Sequence, residues 1–205
     1  MKREDFFTTW SESHGGAEIS GIVKAWLNIS YLIVKPLMKI RVTPNTLTLL
    51  GLFFGVTLYL NAKSIWAPVL LVLSLTCDGV DGTLAIVSGK SSKWGAVLDS
   101  LVDRITEVFW VLALYKIGAD LYLLIVVAVF ALLQEYLRAR AAGLGLAQVG
   151  IVTFAERPVR ASFIFVSLIA WQIKMPIINQ ITLLWLLLQV VSFMMVSRFT
   201  YQHLN

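Results

Sequence analysis

Asp78, Asp81, Asp99 and Asp103 are the residues whose type and spacing suit metal chemistry in this chain. Asp78 and Asp81 are three apart, Asp99 and Asp103 four apart, so in helices each pair shares one face. Two helices carrying such pairs present four carboxylates toward one point. Both pairs lie in otherwise apolar segments, where an ionised carboxylate needs a partner. A hard divalent cation such as Mg²⁺ or Mn²⁺ prefers carboxylate oxygen and supplies that partner. Gly82 and Gly95 stand among the acids and would let a ligand approach the backbone. Scattered helix caps or partners for Lys90, Lys93 and Arg104 would not require the helical spacing. An ion or proton pathway would not require the glycines.

The elements that position these acids are apolar helices. Apolar residue types make up 58% of the 205 residues and charged ones only 14%, against about 25% charged in an average soluble domain. The mean hydropathy is +0.79. These values predict an all-α integral membrane protein. Residues 1–18 carry mixed charge without a continuous apolar core and read as an N-terminal cytoplasmic tail rather than a secretory signal. Residues 19–42 place Ile22, Trp26, Ile29, Ile33 and Leu37 three or four apart, with Lys24, Lys35 and Lys39 between them. That pattern predicts an amphipathic helix lying in the membrane interface, kinked or ended near Pro36. The remainder, 43–205, contains six apolar segments, at roughly 44–60, 65–88, 95–115, 120–142, 158–173 and 177–198, read as six transmembrane helices.

The basic residues orient this arrangement. Of the 17 Lys and Arg, only Lys63, Lys116 and Lys174 fall on the predicted outer side. That is the bias of the positive-inside rule, and it puts both termini and the acidic stretch on the cytoplasmic side. The absence of a presequence adds the expectation of a prokaryotic inner membrane. One cysteine, Cys77, permits no intrachain disulfide.

The stretch D-G-V-D-G-T-L-A-I, continuing through Gly95 to Asp99 and Asp103, resembles the motif of the CDP-alcohol phosphotransferases, D-x-x-D-G-x-x-A-R-x(8)-G-x-x-x-D-x-x-x-D. Asp78, Asp81, Gly82, Ala85, Gly95, Asp99 and Asp103 all match. Pro44, Asn45, Leu47 and Thr48 resemble the family's entry to its first span. The resemblance implies six spans, a homodimer and a pair of Mg²⁺ or Mn²⁺ ions held by Asp78, Asp81, Asp99 and Asp103, with Asp103 also the general base. It further implies that Asn45, Thr46, Leu47, Thr48, Gly82 and Ser92 bind the CDP-lipid donor, CDP-diacylglycerol. Asn45 is equally readable as a helix N-cap. One residue departs: Ile86 stands where the family has arginine, and Lys90 or Lys93 would have to supply that charge. The departure keeps open a weakened relative, or a channel, transporter or scaffold that retains the acids without chemistry.

Arginines gather at the predicted inner helix ends: Arg138 and Arg140 in E-Y-L-R-A-R-A, Arg157 and Arg160 in E-R-P-V-R, and Arg198. Singly, each reads as a cation snorkelling to lipid phosphate. Together they suit a phosphorylated acceptor, since arginine binds phosphate bidentately. The same strings resemble the phosphatidylinositol-phosphate synthase subfamily. That implies Arg138, Arg157 and Arg198 as acceptor-phosphate residues and inositol 1-phosphate as acceptor, with glycerol 3-phosphate or another alcohol as the alternative. Glu135 and Glu156 are expected to pair with neighbouring arginines.

Overall fold

A computed structural model describes residues 1–13, 16, 18–146 and 151–204. His14, to which the sequence assigns no role, and 147–150 of the connection between the fourth and fifth predicted spans lie outside the described residues. Among those described there are eight helices and no strand: α1 (Arg3–Ser13), α2 (Gly21–Lys39), α3 (Pro44–Leu60), α4 (Ala67–Val87), α5 (Lys93–Lys116), α6 (Leu121–Gly143), α7 (Arg157–Gln172) and α8 (Ile178–Leu204). The helix α1 lies inside the stretch expected as a tail. Pro36 does not end α2, which continues to Lys39.

Helices α4, α6 and α8 are each long and apolar enough to cross a membrane, and α2 with α3, bent by 110° between them, makes at most a fourth such span. The other predicted spans fall short for identifiable reasons. With 17 and 16 residues, α3 and α7 reach only about 26 and 24 Å at 1.5 Å per residue. Charge is what disqualifies α5, which carries Asp99, Asp103, Arg104 and Glu107.

The chain divides into two compact units, Met1–Phe54 with Val72–Thr106, and Gly55–Leu71 with Glu107–Asn205. The first is built on an apolar cluster of Phe6, Leu27, Tyr31, Val34, Leu47, Val80, Leu84 and Val87. Phe6 anchors α1 there, stacked on Tyr31 at 5.7 Å between ring centroids, while the Tyr31 hydroxyl donates to the Met1 carbonyl at 3.0 Å. Two glycines permit close helix packing. A Cβ on Gly51 would lie 3.2 Å from the Ser74 carbonyl oxygen, and one on Gly79 would lie 2.5 Å from the Trp26 ring. The Ser74 hydroxyl uses the first approach, donating to the Gly51 carbonyl at 2.7 Å.

In the second unit α8 packs along α6 and α7. Its buried seam is polar: Gln189 donates to Gln134 at 2.8 Å, and Ser192 accepts from the Ala155 N–H at 2.9 Å. The Gln134–Gln189 pair ties α6 to α8 in one register.

Candidate active site

Asp78 on α4 and Asp99 and Asp103 on α5 each bring one carboxylate oxygen within 4.8 Å of the others. All three are half-buried. An all-oxygen donor set of this kind fits a hard divalent cation. Asp81, on α4 one turn beyond Asp78, is almost fully buried, at 4% exposure. One of its oxygens accepts from the Thr48 hydroxyl at 2.5 Å and the other from the Gly82 N–H at 2.6 Å. A carboxylate retains lone pairs after two such bonds. The structure therefore gathers three of the four acids and ties the fourth to α3.

A pocket of about 230 Å³ opens beside them, lined by Ser13, Pro44, Asn45, Thr48, Asp81, Gly82, Ala85, Ile86, Lys90, Ser91, Ser92, Gly95, Ala96 and Asp99. That volume is several times the ~30 Å³ share of a water molecule. Asp99 belongs to both the carboxylate trio and the pocket wall. Of the residues expected to bind a CDP-lipid, Asn45, Thr48, Gly82 and Ser92 line the pocket, whereas Thr46 and Leu47 do not. Leu47 is instead part of the apolar cluster.

Thr43, not Asn45, caps α3, its hydroxyl oxygen accepting from the Thr46 N–H at 3.3 Å. The Asn45 side chain is thereby left on the pocket wall. At α5 the cap is Ser92, which accepts from the Gly95 N–H at 3.0 Å. The two glycines of the motif differ: a Cβ on Gly82 would meet nothing within 4 Å, while one on Gly95 would lie 3.0 Å from the Ser92 hydroxyl and 3.5 Å from Asn45 Oδ1. Gly82 borders open pocket, and Gly95 makes room for its neighbours. Three wall residues, Ser13, Ser91 and Ala96, are not marked by the sequence. Ser13 sits far from the motif in sequence, and nothing in residue pattern announces it. Ile86, the departure from the family motif, lines the pocket and also packs on the apolar cluster.

In the second unit the predicted arginines enter a network of charges. Arg138 donates to both oxygens of Glu156, at 3.0 and 2.7 Å, and to the Ile151 carbonyl at 3.0 Å. Arg160, with 2% exposure, lies 3.0 Å from Glu135 and 3.2 Å from Glu107. Arg157 lies 3.7 Å from the same Glu107 oxygen and sits over the Trp110 ring at 5.2 Å. Three glutamates thus face three arginines. Glu135 and Glu156 pair with arginines as expected, and Arg198 is exposed on α8. Burial acts to raise the Glu156 carboxyl, but hydrogen bonds from Arg138 and from the Thr153 N–H and hydroxyl outweigh it and hold the group below its ordinary value.

The sequence pattern of the CDP-alcohol phosphatidyltransferases matches residues 41–202, and the chain belongs to that family of transferases. Among curated relatives, a phosphatidylinositol phosphate synthase of Cutibacterium acnes is 33% identical over 160 residues, covering 72% of this chain and 74% of the relative. An archaetidylinositol phosphate synthase of Pyrococcus horikoshii is 30% identical over 162 residues, covering 75% and 84%. The fold is shared with a crystal structure of Mycobacterium tuberculosis phosphatidylinositol phosphate synthase with CDP-DAG bound, at a TM-score of 0.69 and 22% identity, covering 85% of this chain and 94% of that one. The same TM-score and identity relate it to a structure of that enzyme in complex with manganese and citrate.

Proposed function

We propose that this protein transfers a phosphatidyl group from CDP-diacylglycerol to inositol 1-phosphate, releasing CMP. The observation that carries the reading is Asp99, which belongs at once to a three-carboxylate cluster and to a pocket whose lining includes Asn45, Thr48, Lys90, Ser91 and Ser92. The names of the relatives support the acceptor.

Asp78, Asp99 and Asp103 would hold the divalent cation, with Asp81 contributing its remaining lone pairs where a second ion is present. Such ions, Mg²⁺ or Mn²⁺, supply positive charge against the diphosphate and the departing CMP. The chain's own groups do the rest. Asn45, Thr48, Gly82 and Ser92 bind the cytidine diphosphate, and orientation of the phosphorus accounts for a large share of the rate. Asp103 takes the proton from the acceptor hydroxyl. The hydroxyl oxygen forms a new bond to the phosphorus bearing diacylglycerol, and the bond from that phosphorus to CMP breaks. Arg138, Arg157 and Arg198 bind the acceptor phosphate. Because Arg138 already engages Glu156, acceptor binding exchanges one anion for another there.

The same reading takes 43–205 as the catalytic membrane domain with α3 to α8 as six spans and 19–42 as an interfacial helix. Residues 1–18 precede them on the cytoplasmic side of a prokaryotic inner membrane, and the protein is a homodimer. The test is an acceptor panel of inositol 1-phosphate, glycerol 3-phosphate, serine and inositol, with CDP-diacylglycerol and either Mg²⁺ or Mn²⁺. CMP release is expected with inositol 1-phosphate, abolished by EDTA, and about 10²-fold slower or worse in Asp103→Asn. Equal or faster release with another acceptor would overturn the substrate assignment. Full turnover in Asp103→Asn would overturn the base.

A further inference from the structure

The pocket of the first unit holds two carboxylates, Asp81 and Asp99, and among its described lining residues the only Lys or Arg is Lys90. The first turns of α3 and α5 line the pocket and offer an anion their positive dipole ends, while α4, which ends at Val87, presents its negative end. Protein cation must come from the turn that follows.

That turn is built to deliver it. Gly89 has φ +65°, a conformation natural to glycine. The Gly89 N–H donates to the Ile86 carbonyl at 3.1 Å and the Lys90 N–H to the Ala85 carbonyl at 2.9 Å. This is the paired hydrogen-bond pattern of a Schellman helix end. Lys90 is thereby pinned to Ala85 and Ile86, both pocket residues, with an exposed side chain free to reach inward. Ile86 is apolar and packs on the cluster that seats α1, so its position serves the wall. Lys93, at the start of α5, is not part of the lining.

We propose that Lys90 binds the diphosphate of the CDP-lipid donor and is the protein's cationic contact to it. The inference rests on the donor reading above, and it selects between the two lysines that the sequence left open.

Titration calorimetry on the full-length protein in detergent with Mg²⁺ tests it, using CDP-diacylglycerol and free cytidine as probes. Lys90→Ala is expected to raise the Kd for CDP-diacylglycerol about tenfold, the loss of one charge-assisted hydrogen bond, and to leave cytidine binding unchanged. Lys90→Gln, which keeps the side-chain reach, should behave like Lys90→Ala, and Lys90→Arg should restore affinity. Lys93→Ala should bind as the wild type. Wild-type affinity in Lys90→Ala and Lys90→Gln, or an equal loss in Lys93→Ala, would overturn the assignment of Lys90 alone. A wild-type protein that binds no CDP-diacylglycerol would overturn the donor reading with it.

Discussion

Gly79 shows how one missing side chain serves the acidic motif. A Cβ there would sit 2.5 Å from the Trp26 ring, closer than packed atoms tolerate. Two effects oppose one another in Gly79→Ala: helix propensity favours alanine by about 1 kcal/mol, while overpacking costs about 1–3 kcal/mol. The clash should win, lowering Tm by a few degrees in a thermal melt of the detergent-solubilised protein. In a Trp26→Ala background the clash is gone, and Gly79→Ala should raise Tm instead. A fall in both backgrounds would mean that Trp26 is not the cause. Gly82, between open pocket and the Asp81 carboxylate, has no such neighbour, which separates glycine kept for packing from glycine kept for access.

The segment 151–156, between α6 and α7, is held by charge. Glu156 binds Arg138 of α6 and the Thr153 N–H and hydroxyl of its own segment. Its carboxyl is held below the ordinary glutamate value. A depressed native value means the contribution to stability is fully present above the unfolded-state value and is lost as pH falls through the native one. The Tm of the wild type should therefore exceed that of Glu156→Gln at pH 7, and the gap should narrow as pH falls below the ordinary glutamate value of about 4.3. A gap that did not narrow at all on acidification would assign the stabilisation to packing. At the same scale, α1 is an element that composition hides: its single buried residue, Phe6, seats it on α2 and α4 residues of the first unit.

For the whole molecule, the proposed six spans predict where water reaches the chain. With Cys77 replaced by serine, single cysteines at positions 63, 116 and 174 should react with a membrane-impermeant maleimide added outside intact cells. Cysteines at 41, 90 and 140 should react only after lysis. The 110° bend between α2 and α3 offers a competing arrangement in which the pair is one broken span. Protection of position 41 both before and after lysis, as expected of a break inside the bilayer, would favour that arrangement and remove α2 from the inner interface.

What residue types and spacing determined was the chemistry and its address. Four acids at helical intervals, two glycines among them and a family motif through Asp103 identified metal-dependent phosphate chemistry, because one helix face is a local property set by a period of 3.6 residues. The helix order and most boundaries followed from hydropathy for the same reason. The tertiary structure decided what depends on neighbours distant in sequence. It turned Asp81 toward Thr48 and Gly82, buried Leu47 in the core instead of the pocket, and gave the α3 cap to Thr43, which freed Asn45. It also paired Arg138 with Glu156, brought Ser13 to the pocket wall and left Lys90, not Lys93, in its lining. Each of these outcomes was fixed by which side chains compete for the same space or the same hydrogen bond once the helices pack, and sequence intervals carry no record of that competition.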